Sequence, residues 1–209
     1  NLAKLRSSFD LDILMVTAKP NTVRRVVVES MVQLGSVWWH AIAGQTALAA
    51  QIAVNRRIPL VIWGYHQGVE QVGMFSHTTA PEMTRRYRRE HDLMGVEIED
   101  LGDGYSSIRD EDLPPYKYPD DPDLLELGFR GIYLSNYYPW DSFRQNALMQ
   151  ARYGYLGCRL PTSFDPFEHV DSIAYMGIHD AMKFAKHGYG KVTDQAVREI
   201  RHGRMRQLE

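Results

Sequence analysis

The chain has 209 residues, 44% hydrophobic and 24% charged, with a formal net charge of −2. That balance suits a folded globular protein, which at this length buries roughly 70% of its unfolded surface, and the single cysteine, Cys158, excludes an internal disulfide and a cysteine-cluster metal site. The slight acidity argues against a nucleic-acid binder, and no apolar run reaches the about 18 residues of a membrane span, so the expected setting is reducing and cytoplasmic.

Asn1-Leu2-Ala3-Lys4-Leu5-Arg6 reads as the end of a helix without an initiator Met, so a longer polypeptide is expected. Leu11–Thr17 is a short apolar run that predicts a strand, stopped by Lys19-Pro20. Asn21 or Thr22 is placed to cap a helix to about Leu34, with Gly35 as its stop and Val23, Val26, Val27 and Ser30 on one face. A second helix is expected from about His40 to Asn55, its many small residues suited to close packing against a sheet. Ile58–Gly64 is continuously apolar, the mark of a strand covered on both faces. Strand, helix, helix, strand implies a parallel α/β sheet, in which ligands bind beyond the carboxyl ends of the strands. Gly64-Tyr65-His66-Gln67-Gly68 falls at that place.

Order weakens from Val69 to Pro122. A basic helix is expected from about Pro81 to Leu93, and a loop from Asp110 to Asp123, where Pro114, Pro115, Pro119 and Pro122 oppose regular structure. Gly131–Tyr137 predicts another strand, and Asp141 a cap for a helix to about Tyr153. A loop to about Asp171 leads to two closing helices, about Ile173–His187 and Thr193–Gly203.

The net charge conceals an asymmetry. Glu97–Glu126 is rich in Asp and Glu, while Lys183–Arg206 is basic. Two solvated faces give that pattern, and so does a basic pocket beside an acidic insertion. On the first closing helix Ile173, Met176, Ala181, Phe184 and Ala185 make an apolar flank, while His179, Asp180, Lys183 and Lys186 share a face. Gly188-Tyr189-Gly190 lets the chain turn or approach a ligand closely. Lys191 follows, and Thr193 or Asp194 caps the last helix, where Asp194, Arg198 and Arg201 form a polar edge and Val197 and Ile200 face inward. Phosphates are held by Lys or Arg, backbone N–H groups and helix N-termini, so this hinge is a candidate site for a nucleotide or nucleotide sugar. A solvated helical face with a glycine connector has the same spacing.

Trp38-Trp39-His40 reads either as a buried aromatic wedge with one satisfied histidine or as a wall for a sugar or base. His40, His66 and His179 lack metal-ligand spacing, so no protein metal site is expected. Cys158 has no evident base beside it, and no Gly-x-Ser-x-Gly or Walker-type loop occurs.

The run His179-Asp180-Ala181-Met182-Lys183-Phe184-Ala185-Lys186-His187-Gly188-Tyr189-Gly190-Lys191-Val192-Thr193-Asp194, followed by Glu199-Ile200-Arg201 and Gly203-Arg204-Met205, resembles the C-terminal signature of the N-acetyl sugar amidotransferases of bacterial lipopolysaccharide O-antigen and related surface-sugar biosynthesis. Trp39-His40, Ile58–His66, Gly73-Met74-Phe75-Ser76, Gly131-Ile132-Tyr133-Leu134, Asn136 and Trp140-Asp141 extend the resemblance over nearly the whole chain. It implies a PP-loop ATPase fold, a parallel-sheet α/β fold, here N-terminally incomplete with a helical C-terminal part. Residues 1–68 would be the end of the ATPase domain, and 69–209 an insertion plus a substrate- and nucleotide-binding region. The family's Ser-Gly-Gly-Lys-Asp-Ser loop and N-terminal cysteine motif do not occur in these residues, so the 209 residues alone are expected to be inactive. Tyr65 stands where the family pattern has an acidic residue, and Gln195 where His is common.

The resemblance also implies chemistry. ATP, with Mg²⁺, would adenylate the N-acetyl oxygen of a nucleotide-linked sugar, and ammonia from a glutaminase and cyclase-like pair would replace it. His179, Asp180, Lys183 and Asp194 would be catalytic. Lys186, Gly188, Gly190, Lys191, Thr193, Arg201 and Gly64 would bind nucleotide or phosphate, and Trp39, His40, His66 and Asn136 the sugar. A non-catalytic nucleotide-sugar-binding scaffold and a PP-loop enzyme acting on tRNA are the alternatives.

Overall fold

The first apolar run does not become a strand. Helix α1 spans Leu2–Phe9, Asp10 behind it is left-handed (φ 51°), and residues 11–19 carry no regular structure, with Leu11, Leu14, Met15 and Val16 exposed. A strand is stable only where a neighbour takes up its N–H and C=O groups, and no described strand pairs with this segment. The computed structural model describes residues 1–64, 81–102, 104–105, 107–157, 163–166 and 173–206. They divide into two compact units, 18–138 and 1–17 with 139–209.

In the 18–138 unit, α2 spans Pro20–Leu34. Pro20 sits in its first turn, where a missing N–H leaves nothing unbonded, and left-handed Gly35 ends it, its N–H donating to the Met31 carbonyl while the Ser36 N–H donates to that of Ser30. Helix α3 spans Trp39–Arg56 and packs on α2, and its Ala43, Ala47, Ala50 and Ala53 are all buried. The apolar core joins Val26, Trp39, Ala43, Leu93, Ile98, Leu101 and Tyr116. A fully buried side chain of Leu size contributes about 2 kcal/mol there.

The sheet is mixed. Strand β1 (Leu60–Trp63) lies parallel to β3 (Arg130–Tyr133), with Leu60 opposite Arg130 and Trp63 opposite Tyr133, while the two-residue β2 (Glu82–Met83) runs antiparallel on the other side of β3. Two expectations change here. The sheet is not purely parallel, and β1, at a sheet edge among the described residues, leaves Leu60 and Ile62 exposed instead of being covered on both faces. The predicted strand over Gly131–Tyr137 also ends early, at Tyr133, where Leu134–Asn136 coils into a 3₁₀ turn. Gly131 is the tight point of the sheet: a Cβ there would lie 3.0 Å from the Met83 Cβ.

The expected basic helix starts later than Pro81. Helix α4 is one turn, Arg85–Tyr87, capped by the Thr84 hydroxyl, and it runs into a π turn at Arg88–Asp92. The proline-rich loop contains a 3₁₀ turn (Asp110–Asp112) and ends in α5, Asp121–Leu127, because Pro122 occupies a first-turn position that tolerates proline.

The other unit holds α1, α6 (Ser142–Tyr153), α7 (Ile173–His187) and α8 (Lys191–Arg201). Asp141 caps α6 as predicted, its Oδ1 accepting the Arg144 N–H. Phe9 of α1 packs on Tyr153 of α6, ring centroids 4.8 Å apart. The expected apolar flank of α7 is largely exposed at Ala181, Phe184 and Ala185. On α8 the inward row is Gln195 and Glu199, whereas Ile200 is exposed.

Candidate functional site

The hinge between α7 and α8 assembles several residues predicted for the site. Gly188 is left-handed (φ 76°) and its N–H closes α7 on the Phe184 carbonyl. Gly190 then caps α8. The Asp180 carboxylate reaches across from α7 and accepts the Lys191 backbone N–H at 2.6 Å. A Cβ on Gly190 would come within 2.9 Å of Asp180 Oδ1, so glycine is what admits the carboxylate. An anion therefore does occupy this helix N-terminus, and it is the chain's own.

The Lys183 ammonium pairs with Asp194 on α8 and lies 4.8 Å from the centre of the Tyr189 ring. His179 is half-buried, and burial first, then the nearby Lys183 and Lys191, hold its imidazole below the ordinary value, so the ring is neutral at pH 7. Lys186, Thr193 and Arg201 are exposed, and Lys191 is partly buried. The turn thus presents a cationic surface stiffened by two carboxylates, Asp180 on the backbone and Asp194 on Lys183.

The described residues expected to bind sugar, Trp39, His40 and Asn136, belong to the 18–138 unit, and each has a partner within it. Trp39 is 1% exposed, a core residue whose indole N–H donates to the Leu93 carbonyl at 3.2 Å. His40 donates from Nδ1 to the Val37 carbonyl at 3.0 Å, and burial lowers its pKa. These two match the aromatic-wedge reading. Asn136 donates from Nδ2 to the Pro81 carbonyl. His66, Gly73-Met74-Phe75-Ser76 and Cys158 lie outside the described residues.

Gly64 stands at the end of β1, where its carbonyl accepts the Ser135 N–H at 3.1 Å. It lines a cavity of about 240 Å³ with Thr46, Trp63, Met83, Asp92 and Tyr133. That is where a parallel strand pair opens a crevice. Asp92 is 8% exposed, and burial pushes its carboxyl up to about 7 against the pull of Arg88. Among the described residues no group of three or more His, Cys, Asp and Glu is placed to hold a metal ion.

Sequence reasoning missed two features. Asp92 sits in an Arg- and Glu-rich stretch that reads as an exposed helix, with nothing in the spacing to mark it as buried. The second is an ion cluster. Arg198 pairs with Asp165 and Glu199, and Arg204 pairs with Glu199 and with Asp141, the cap of α6. Asp141, Glu199 and Arg204 all belong to the quoted motifs, and here they lock α8 to α6.

No protein-family model matches this chain, and no curated protein matches it at a significant level.

Proposed function

We propose that this sequence is part of an ATP-dependent amidotransferase that converts the N-acetyl group of a nucleotide-linked sugar to an acetamidino group, in lipopolysaccharide O-antigen or related glycan synthesis. One observation carries the reading: the run that resembles the amidotransferase signature folds into a single glycine turn in which Asp180 accepts the Lys191 backbone N–H and Asp194 pairs with the Lys183 ammonium. An amide oxygen is a poor leaving group. Adenylation makes it a good one; ammonia then takes its place, and AMP leaves with that oxygen after pyrophosphate has been released.

In this reading Lys183, Lys186, Lys191 and Arg201 neutralise phosphate charge, which is worth most where it is pre-positioned. Neutral His179 is suited to accept a proton from the attacking ammonia. Mg²⁺ carried on ATP needs only one or two carboxylates; Asp180 and Asp194 are the hinge's candidates, and the metal would exchange with their present partners. The reading brings with it a PP-loop fold, for which the parallel β1/β3 pair is support, and a glutaminase and cyclase-like pair as ammonia source.

The natural polypeptide carrying this sequence should release pyrophosphate only when ATP, ammonium and an N-acetylated nucleotide sugar are all present. Lys183→Ala should lower kcat at least about 100-fold with unchanged circular dichroism. Full turnover by that variant would remove the hinge from the site, and no release with any nucleotide sugar would reject the reaction.

A further inference from the structure

We propose that the cavity at the carboxyl ends of β1 and β3 binds a small organic amine in its ammonium form, with Asp92 as counter-ion and Trp63, Tyr133 and Met83 as walls. This stands independently of the amidotransferase reading. At about 240 Å³ the cavity exceeds by far the share of one water, about 30 Å³, so it suits an amine bearing a ring or short chain more than a bare ammonium ion.

Asp92 is the reason for a cation. It lines the cavity at 8% exposure, and no described residue gives it a hydrogen bond or salt bridge. Buried carboxyl groups are ordinarily paired. The nearby cation is already committed: Arg88, fully buried, donates to Glu97 and to the Thr46 hydroxyl, and its guanidinium lies 4.7 Å from the centre of the Tyr118 ring. The charge of Arg88 is thus matched by Glu97, and that of Asp92 is not. An ammonium group supplies the missing partner, and aromatic faces attract it further. Asp92 also closes a π turn, an irregularity that recurs at functional sites.

The groups facing Asp92 allow a clean pH signature. Tyr87 and Tyr133 are pushed up by burial and by Asp92 itself, so neither ionises near neutrality. Ile42 and Thr46 of α3 and Trp63 of β1 do not titrate. His91, whose ring lies 4.7 Å from that of Tyr87, is replaced by Gln as a control. Ammonium binding requires ionised Asp92, whose carboxyl sits at about 7, so the amine displaces a proton below that pH.

The test titrates benzylammonium chloride, and benzyl alcohol as its neutral isostere, into the whole chain by calorimetry at pH 6 and pH 8. We expect saturable amine binding at least tenfold tighter than the alcohol and about tenfold tighter at pH 8 than at pH 6. Close to one proton should be released at pH 6, read from the dependence of the heat on buffer. His91→Gln should keep this profile, and Asp92→Asn should abolish amine binding. Equal affinity for the alcohol, tighter binding at pH 6, loss of the profile in His91→Gln, or no saturation would each overturn the site. If Asp92→Asn fails to fold, the alcohol comparison and proton count on the unaltered protein still decide.

Discussion

Asp92 and Asp112 are buried carboxyl groups of one unit, driven in opposite directions. Arg25 donates to both oxygens of Asp112, Thr22 and the Arg109 N–H add to this, and the carboxyl is held well below the usual carboxylate range. Its stabilising effect is complete above about pH 4, the unfolded value, and is lost as pH falls below it. Asp92 behaves inversely. Its folded value of about 7 lies above the unfolded 3.8, so its favourable contribution is present below about pH 4 and is lost as pH rises to about 7. Those roughly three pH units correspond to about 4 kcal/mol. The stability difference between Asp92→Asn and the parent should therefore shift in the variant's favour by up to that amount between pH 4 and pH 8, measured by urea unfolding. A pH-independent difference would mean that Asp92 is not raised. Asp112→Asn should cost about 3 kcal/mol at pH 7 and less as pH falls below 4. Neither role was legible in the sequence, because both residues lie in charged stretches and only remote partners decide which carboxylate is paired.

At the scale of elements, α8 shows what periodicity cannot see. Its spacing turns Val197 and Ile200 inward, yet Gln195 and Glu199 are the buried pair, 4% and 7% exposed, because Ser163, Arg198 and Arg204 wait for them. Arg204→Ala leaves Glu199 and Asp141 without this partner and should destabilise the α6–α8 contact by about 3 kcal/mol, seen as faster amide exchange in both helices. Arg204→Lys should not restore it, since a lysine cannot form the fork. At the hinge, Gly190→Ala should push Asp180 from the Lys191 N–H and cost about 1 kcal/mol of helix capping. Asp180→Ala should cost the same, and the double variant no more than either, because both remove one interaction. Additive losses in thermal melts would separate the two residues. The hinge itself was legible, since glycines and charges at helical spacing are local signals; the carboxylate occupying its helix N-terminus was not.

For the whole molecule, the two units are built on different physics. All the buried apolar side chains among the described residues lie in 18–138, whereas the buried residues described in the other unit are Asp165, Gln195 and Glu199. Residues 18–138 produced alone should thus unfold cooperatively in urea and keep the near-ultraviolet dichroism of buried Trp39, as expected of a unit with its own core. Loss of that signal would show that the core depends on the remaining residues. Sequence by itself determined the helices at 20–34, 39–56, 142–153 and 173–187, the strands at 60–63 and 130–133, and the glycine hinge, to within a few residues, because capping, stop residues and hydrophobic period act over a few positions. Only the tertiary structure decided that residues 11–17 form no strand, that the sheet is mixed, and that Asp92, Arg88 and Glu199 lie inside. Each of those outcomes depends on partners that are distant in the chain, and no local pattern specifies them.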